Sequence, residues 1–186
     1  MRKIAFAVAV LLCTAMTAAA QERNSTEVFV GYSYMRANPS SASAPDFNLN
    51  GGTGSIAYYP LRWLGLTADF GGYHVGQIGP ASVDGTLYTY LFGPRVRLPG
   101  TRHLKPFAQL LVGAAHASGS SSFSASTSHN AFAMAVGGGL DVPATRHFGV
   151  RLFEVDYLPT WFPESVGGSR LVQQNVRIST GVRFRF

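Results

Sequence analysis

Val176-Arg177-Ile178-Ser179-Thr180-Gly181-Val182-Arg183-Phe184-Arg185-Phe186 reads as a β-strand that carries the chain to its last residue. Successive side chains of a strand point to opposite faces. Val176, Ile178, Thr180, Val182, Phe184 and Phe186 therefore share one face, and Arg177, Ser179, Gly181, Arg183 and Arg185 share the other. One face is apolar and aromatic; the other holds three arginines. A sheet in water also alternates, but a strand that ends on an aromatic residue and turns its arginines inward is harder to accommodate there.

The same two-residue period recurs along the chain. In residues 27–35, Val28, Val30, Tyr32 and Tyr34 oppose Phe29, Gly31 and Ser33. Residues 51–59 form a second segment, and in 64–74 Leu64, Leu66, Ala68 and Phe70 oppose Gly65, Thr67, Asp69 and Gly71. Residues 86–98 set Tyr88, Tyr90, Phe92 and Val96 against Thr89, Gly93, Arg95 and Arg97. Segments 106–117, 131–142, 148–158 and 172–186 complete a set of eight strands. In the seventh, Arg151 has the opposite parity to Glu154 and Asp156, which leaves two readings, a β-bulge or an arginine on the outer face.

The connections alternate in length. Short, Pro-led links (Pro60 to Trp63, Pro99 to His103, Pro143 to His147) follow strands two, four and six, and longer polar stretches (37–48, 75–85, 118–129, 159–170) follow the odd ones. The last but one, rich in Ser, Gly and Ala, reads as a mobile exterior loop. Strands of about ten residues joined by alternately short and long connections predict an all-β, eight-stranded antiparallel up-and-down transmembrane β-barrel. A soluble eight-stranded barrel is the competing architecture, with no reason for so strict an alternation of loop length.

The beginning of the chain fits an exported protein. Arg2 and Lys3, an apolar run over residues 4–12 and Ala18-Ala19-Ala20 before Gln21 have the layout of a signal peptide, residues 1–20, ahead of a barrel domain, 21–186. The apolar run is well short of the roughly 20 residues of a spanning helix. The single cysteine, Cys13, would leave with the signal. Removing Arg2 and Lys3 takes the formal charge from +6 to +4, too modest and too dispersed for a nucleic-acid surface.

Val28-Phe29-Val30-Gly31-Tyr32-Ser33-Tyr34, Trp63-Leu64-Gly65-Leu66-Thr67-Ala68-Asp69-Phe70, Leu91-Phe92-Gly93-Pro94-Arg95, Pro106-Phe107-Ala108, Val155-Asp156-Tyr157 and the terminal strand resemble the small outer-membrane barrels of the OmpA-like transmembrane-domain and OmpX-like type, within the broad porin family. The resemblance implies a Gram-negative outer membrane, with both termini periplasmic and no cofactor. It implies three kinds of partner: outer-membrane lipid and lipopolysaccharide, the barrel-assembly machinery during biogenesis, and a surface ligand held by the exterior loops. Val182, Phe184 and Phe186 then belong to the signal read by that machinery. The chain stops at Phe186, so the peptidoglycan anchoring of full-length OmpA proteins is not carried over.

An eight-stranded barrel is about filled by side chains. Asp69, Arg95, Arg97, Asp141, Glu154, Asp156, Arg177, Arg183 and Arg185 are the expected lumen network, since buried arginines need carboxylates. Gly93, Gly113, Gly137 and Gly139 would make room for them. Tyr59 and Trp63 beside a short turn, and Tyr157, Trp161 and Phe162 near the last long loop, are expected at the two membrane interfaces. Basic residues gather in the short turns (Arg62, Arg102, His103, Lys105, Arg146, His147), where contact with anionic headgroups and plain solvation are equally open readings.

Catalytic signals are thin. His116-Ala117-Ser118 resembles the His-x-Ser pair of outer-membrane lipid A deacylases, but no acid follows at suitable spacing. The five histidines lack metal-ligand spacing. The expected role is a scaffold that presents surface loops over a plugged lumen, not an enzyme. A narrow, anion-preferring diffusion channel is the second reading, and a lipid-modifying enzyme the third.

Overall fold

The computed structural model describes residues 25–39, 47–75, 83–121, 124–162 and 171–186. The proposed signal segment and Phe162's side chain lie outside the residues and side chains described. Eight strands follow in order: β1 (Ser25–Pro39), β2 (Phe47–Tyr59), β3 (Leu64–Val75), β4 (Val83–Arg97), β5 (Lys105–Ser121), β6 (Ser124–Pro143), β7 (Phe148–Phe162) and β8 (Leu171–Arg185). Each pairs antiparallel with its sequence neighbour, and β8 returns to β1 to close the barrel. Closure leaves no row of unpaired N–H and C=O groups, the condition for a sheet to sit in lipid. The seam is sealed at the end of the chain, where Thr26 and Phe186 exchange backbone bonds of 3.2 and 2.9 Å.

Alternation sorts the faces. Val30, Ile56, Leu66, Phe92, Leu110, Phe132, Val155 and Ile178 are exposed on the outer wall, while Ser33, Asp69, Arg95, Gln109 and Arg177 are buried within it. An apolar exterior around a buried charged interior is the inverse of a water-soluble barrel. Aromatic rings pave part of the outside: Phe70 meets Tyr90 and Phe92 edge-on, with centroids 6.2 and 5.9 Å away.

Two of the short turns share a device. Pro99-Gly100-Thr101-Arg102-His103 and Pro143-Ala144-Thr145-Arg146-His147 each use the threonine hydroxyl as an acceptor for a backbone N–H three residues on, from Leu104 at 3.1 Å and from Phe148 at 3.0 Å. Such Thr–backbone bonds stabilise a tight reversal and leave the Arg-His pair facing solvent.

Two expectations are corrected here. The stretch 118–129 is not a loop. Ser118 pairs with Ser128 and Gly119 with Thr127, so β5 and β6 run on as a hairpin to Ser121 and Ser124. Backbone pairing is indifferent to small side chains, which is why composition mistook this segment. The parity conflict in β7 is resolved by a bulge. Phe153 pairs with Leu140 and Arg151 with Asp141, so β7 spends two steps where β6 spends one. Leu152 and Phe153 consequently both face outward, and Arg151 and Glu154 both face inward.

Candidate functional site

The lumen is organised in layers from the turn end to the loop end. At the turn end, Glu27 of β1 receives Arg183 of β8 and Arg97 of β4, the latter at 2.9 Å. Arg97 also lies over the ring of Tyr59, 3.3 Å from its centroid. Tyr59 is buried at 2 % exposure, because Thr53, Ser55, Ala57 and Tyr59 take the inward parity of β2. Its expected place at the membrane interface is therefore corrected; Tyr58 takes the outward position.

Above it, Arg151 grips Asp141 with two nitrogens, at 2.8 and 3.2 Å, and also binds Glu154. Arg177 donates to Asp69 at 2.6 Å, to Asp156 at 2.6 and 3.0 Å and to Glu154 at 3.3 Å. Arg95 donates twice to Gln109 Oε1, at 2.9 and 2.7 Å, while Gln109 Nε2 donates to Glu154 at 3.1 Å and Asp156 at 2.9 Å. Gln109 thus relays Arg95 to the acids, which Arg95 reaches directly only at 4.0 Å. Phe107 fills the space between two guanidinium groups, 4.8 Å from Arg95 and 4.3 Å from Arg151, and Phe29 lies 4.2 Å from Arg151. Rings at these distances offer the cations their electron-rich faces where water is excluded.

The charges balance. Five arginines (Arg95, Arg97, Arg151, Arg177, Arg183) face five carboxylates (Glu27, Asp69, Asp141, Glu154, Asp156). Burial of an ion costs several kcal/mol, which a neighbouring counter-ion with good hydrogen bonds roughly offsets. Balance is what makes so charged a lumen tolerable.

The loop-side half is different. Met35, Leu49, Tyr73, Leu91, Leu111 and Leu158, from six strands, pack into one apolar cluster with exposures of 2 % or less. A hydroxyl layer joins the two halves: Ser33 Oγ lies 2.8 Å from Ser179 Oγ and 3.4 Å from Tyr73 OH.

Of the residues expected in the lumen, Asp69, Arg95, Asp141, Glu154, Asp156, Arg177 and Arg183 are buried together. Arg97 stands at the turn-side rim, with its side chain 20 % exposed. Arg185 is an exception: the last residue of β8, it is exposed at the barrel mouth and is corrected to the rim. Glu27, Gln109 and the apolar layer lie outside the expected set, and Arg151 joins it through the bulge, one of its two expected readings. Parity was the available signal for most: Leu111 stands two residues after Gln109 and Leu158 two after Asp156, on the same face.

The glycines divide. At Gly137 and Gly139 a Cβ would first meet the Val155 and Phe153 carbonyls and, besides them, the carboxylate of Asp156 and the ring of Phe107, so both serve close strand approach and also leave room for the network. At Gly93 and Gly113 it would meet the Leu110 and Tyr90 carbonyls; those positions serve close strand approach, not arginine packing.

Trp63 and Tyr157 are exposed on the outer wall, and Trp161 packs its ring 5.5 Å from Phe132. Phe184 packs 5.5 Å from Phe148, and Phe186 and Val182 share its parity. His116 Nδ1 lies 2.7 Å from Asn130 Oδ1, on the outward parity of β5 with Ser118.

A family model described as the outer membrane protein beta-barrel domain matches residues 5–184. No curated protein matches the chain. Among solved structures, neisserial surface protein A (NspA) is similar in fold at a TM-score of 0.69 and 17 % identity, covering 89 % of this chain and 100 % of that one. Ail, the attachment invasion locus protein of Yersinia pestis, gives 0.61 and 18 %, covering 88 % and 99 %. The N-terminal barrel domain of Pseudomonas aeruginosa OprF gives 0.51 and 19 %, covering 88 % and 98 %. With residues 5–184 matched to the family and a closed eight-stranded barrel as its fold, the chain belongs to the outer membrane protein β-barrel domain family, and is an integral protein of the bacterial outer membrane.

Proposed function

We infer that this barrel is a structural and interaction scaffold whose lumen is plugged, with its work done at the loop end. The observation that carries the reading is the balanced network of five arginines and five carboxylates, capped by an apolar layer. A conducting path needs side chains that water or an ion can replace. Arg95 and Arg177, which an anion path would use, are already committed to Gln109 and to three carboxylates. The apolar layer offers a permeating ion few partners, the Tyr73 hydroxyl and the Asn175 amide among them.

The reading places both termini and the three short turns in the periplasm, as the topology of outer-membrane barrels has it. The strand ends at the other mouth, including the long β5–β6 hairpin, then face the exterior, where lipopolysaccharide and a surface ligand are the partners. The barrel-assembly machinery would meet the β8 face that carries Val182, Phe184 and Phe186.

Single-channel recording of the refolded protein in a planar bilayer, with insertion verified by protease protection, tests the plug. Silence is the expected result. Discrete openings with anion preference would replace the scaffold by a channel, and Arg177→Ala would then alter their selectivity.

A further inference from the structure

The network leaves a surplus of cations, and the barrel gathers it in one place. A cavity of about 710 Å³ opens at the turn end. Its rim takes a cation from every side: Arg62 from the β2–β3 turn, Lys105 at the start of β5, Arg146 from the β6–β7 turn and Arg185 at the end of β8. Arg183 lies buried at its floor, and Arg97, partly exposed, stands between floor and rim. Arg62 has a partner of its own; against the other five stand Glu27 and Asp141. Both acids are already engaged, Glu27 by Arg97 and Arg183, Asp141 chiefly by Arg151 from inside the barrel. Even with a free carboxylate on Phe186 counted, the cavity keeps an excess of positive charge. Lys105, Arg146 and Arg185 have no carboxylate within ion-pair distance among the described residues.

Arg183 lines the same cavity and is more than nine-tenths buried; its Nε is out of reach of the cavity, 3.5 Å from Asp141 Oδ2, so this residue adds positive charge beneath the rim and offers no free N–H there.

We propose that this vestibule is a binding site for a phosphate group, held by Lys105, Arg146 and Arg185 at the rim, above the positive charge of Arg183. Guanidinium groups match phosphate oxygens bidentately, and a concave, low-dielectric wall strengthens each contact beyond its value on an open surface. The phosphate is carried either by a soluble periplasmic compound or by the headgroup of an inner-leaflet lipid that bends over the rim. Binding does not depend on whether the lumen conducts; its periplasmic address rests on the orientation proposed above.

Calorimetric titration of inorganic pyrophosphate into the refolded protein, in phosphatidylcholine nanodiscs at low ionic strength, tests the site. The expected result is saturable binding at one site, weakened at least about tenfold in the triple variant Lys105→Gln, Arg146→Gln, Arg185→Gln. These three side chains lie outside the network, so the variant folds; its compact band on an unheated gel checks that. Repeating the titration in discs containing phosphatidylglycerol separates the sources. Weakened pyrophosphate binding there assigns the site to a lipid headgroup, and unchanged binding assigns it to a soluble phosphate compound. Absence of saturable binding in phosphatidylcholine discs, or equal affinity in the folded triple variant, overturns the proposal.

Discussion

Arg177 of β8 and Asp156 of β7 are joined twice, through Nε at 3.0 Å and Nη2 at 2.6 Å to one carboxylate oxygen, and both side chains are fully buried. The pair faces across adjacent strands, since Asp156 and Arg177 are direct partners in the ladder. The same guanidinium reaches Asp69 of β3, a strand that is not its neighbour. Arg177 therefore ties the barrel across its diameter as well as along its wall.

Removing that tie should be expensive. Arg177→Met leaves Asp69 and Asp156 without their main cation, and breaking a buried pair costs about 3–5 kcal/mol. Urea unfolding of the refolded protein, followed by tryptophan fluorescence, should show a loss of that order. Adding Asp156→Asn should recover part of it. A double-mutant cycle with no coupling between the two changes would show that the pair does not act as one unit.

The bulge at Leu152 and Phe153 is a second point of control. Deleting Leu152 brings Arg151 and Glu154 two residues apart, so simple alternation then keeps both inward with Phe153 alone outward between them. Deleting Val155 instead makes Glu154 and Asp156 adjacent, so one of the two must turn toward lipid and abandon its partners. The Leu152 deletion should retain the compact band on an unheated gel, whereas the Val155 deletion should abolish it.

Phe107→Ala should destabilise the barrel by about 3 kcal/mol, the usual range for a large aromatic lost from a packed interior. The ring separates Arg95 from Arg151, and its loss also removes two cation–ring contacts. Phe107→Tyr offers a control, since it keeps the ring. A midpoint shift in urea that is the same for both variants would argue against the contact.

The two tryptophans report on the outer wall. Trp63 is 55 % exposed beside a short turn, and Trp161 lies near the end of β7 toward the other mouth. Single-tryptophan variants in bilayers of brominated lipid should both be quenched most strongly by bromines near the headgroups, less by bromines at the chain ends. Strongest quenching from the chain ends would move the membrane along the barrel.

The architecture was legible in the sequence because the charged residues mark the period unambiguously. Arg177 to Arg183 in β8, and Thr89 to Arg97 in β4, alternate with apolar residues and so declare which face is inward. Legibility fails where both faces carry the same chemistry. Tyr58 and Tyr59 are adjacent tyrosines, one outside and one inside, and nothing local distinguishes them. Leu110, Leu111 and Val112 pose the same problem, which concealed the apolar layer. The Ser-rich arm of β5 and β6 offers no contrast at all. Gln109, uncharged, escaped notice as the relay between Arg95 and the acids, since only its neighbours in space give it that task.

The even balance of the lumen has a consequence for the order in which this barrel is built. Of its ten charged side chains, the last two strands supply five: Arg151, Glu154, Asp156, Arg177 and Arg183. A chain that has laid down β1 through β6 shows Glu27, Asp69, Asp141, Arg95 and Arg97 to its surroundings with most of their partners still missing. Such an intermediate prefers water on its concave side and resists sinking into lipid. A sheet that lacks β7 and β8 carries ions that its completed form neutralises, so on charge alone entry into lipid and closure of the barrel are expected to go together.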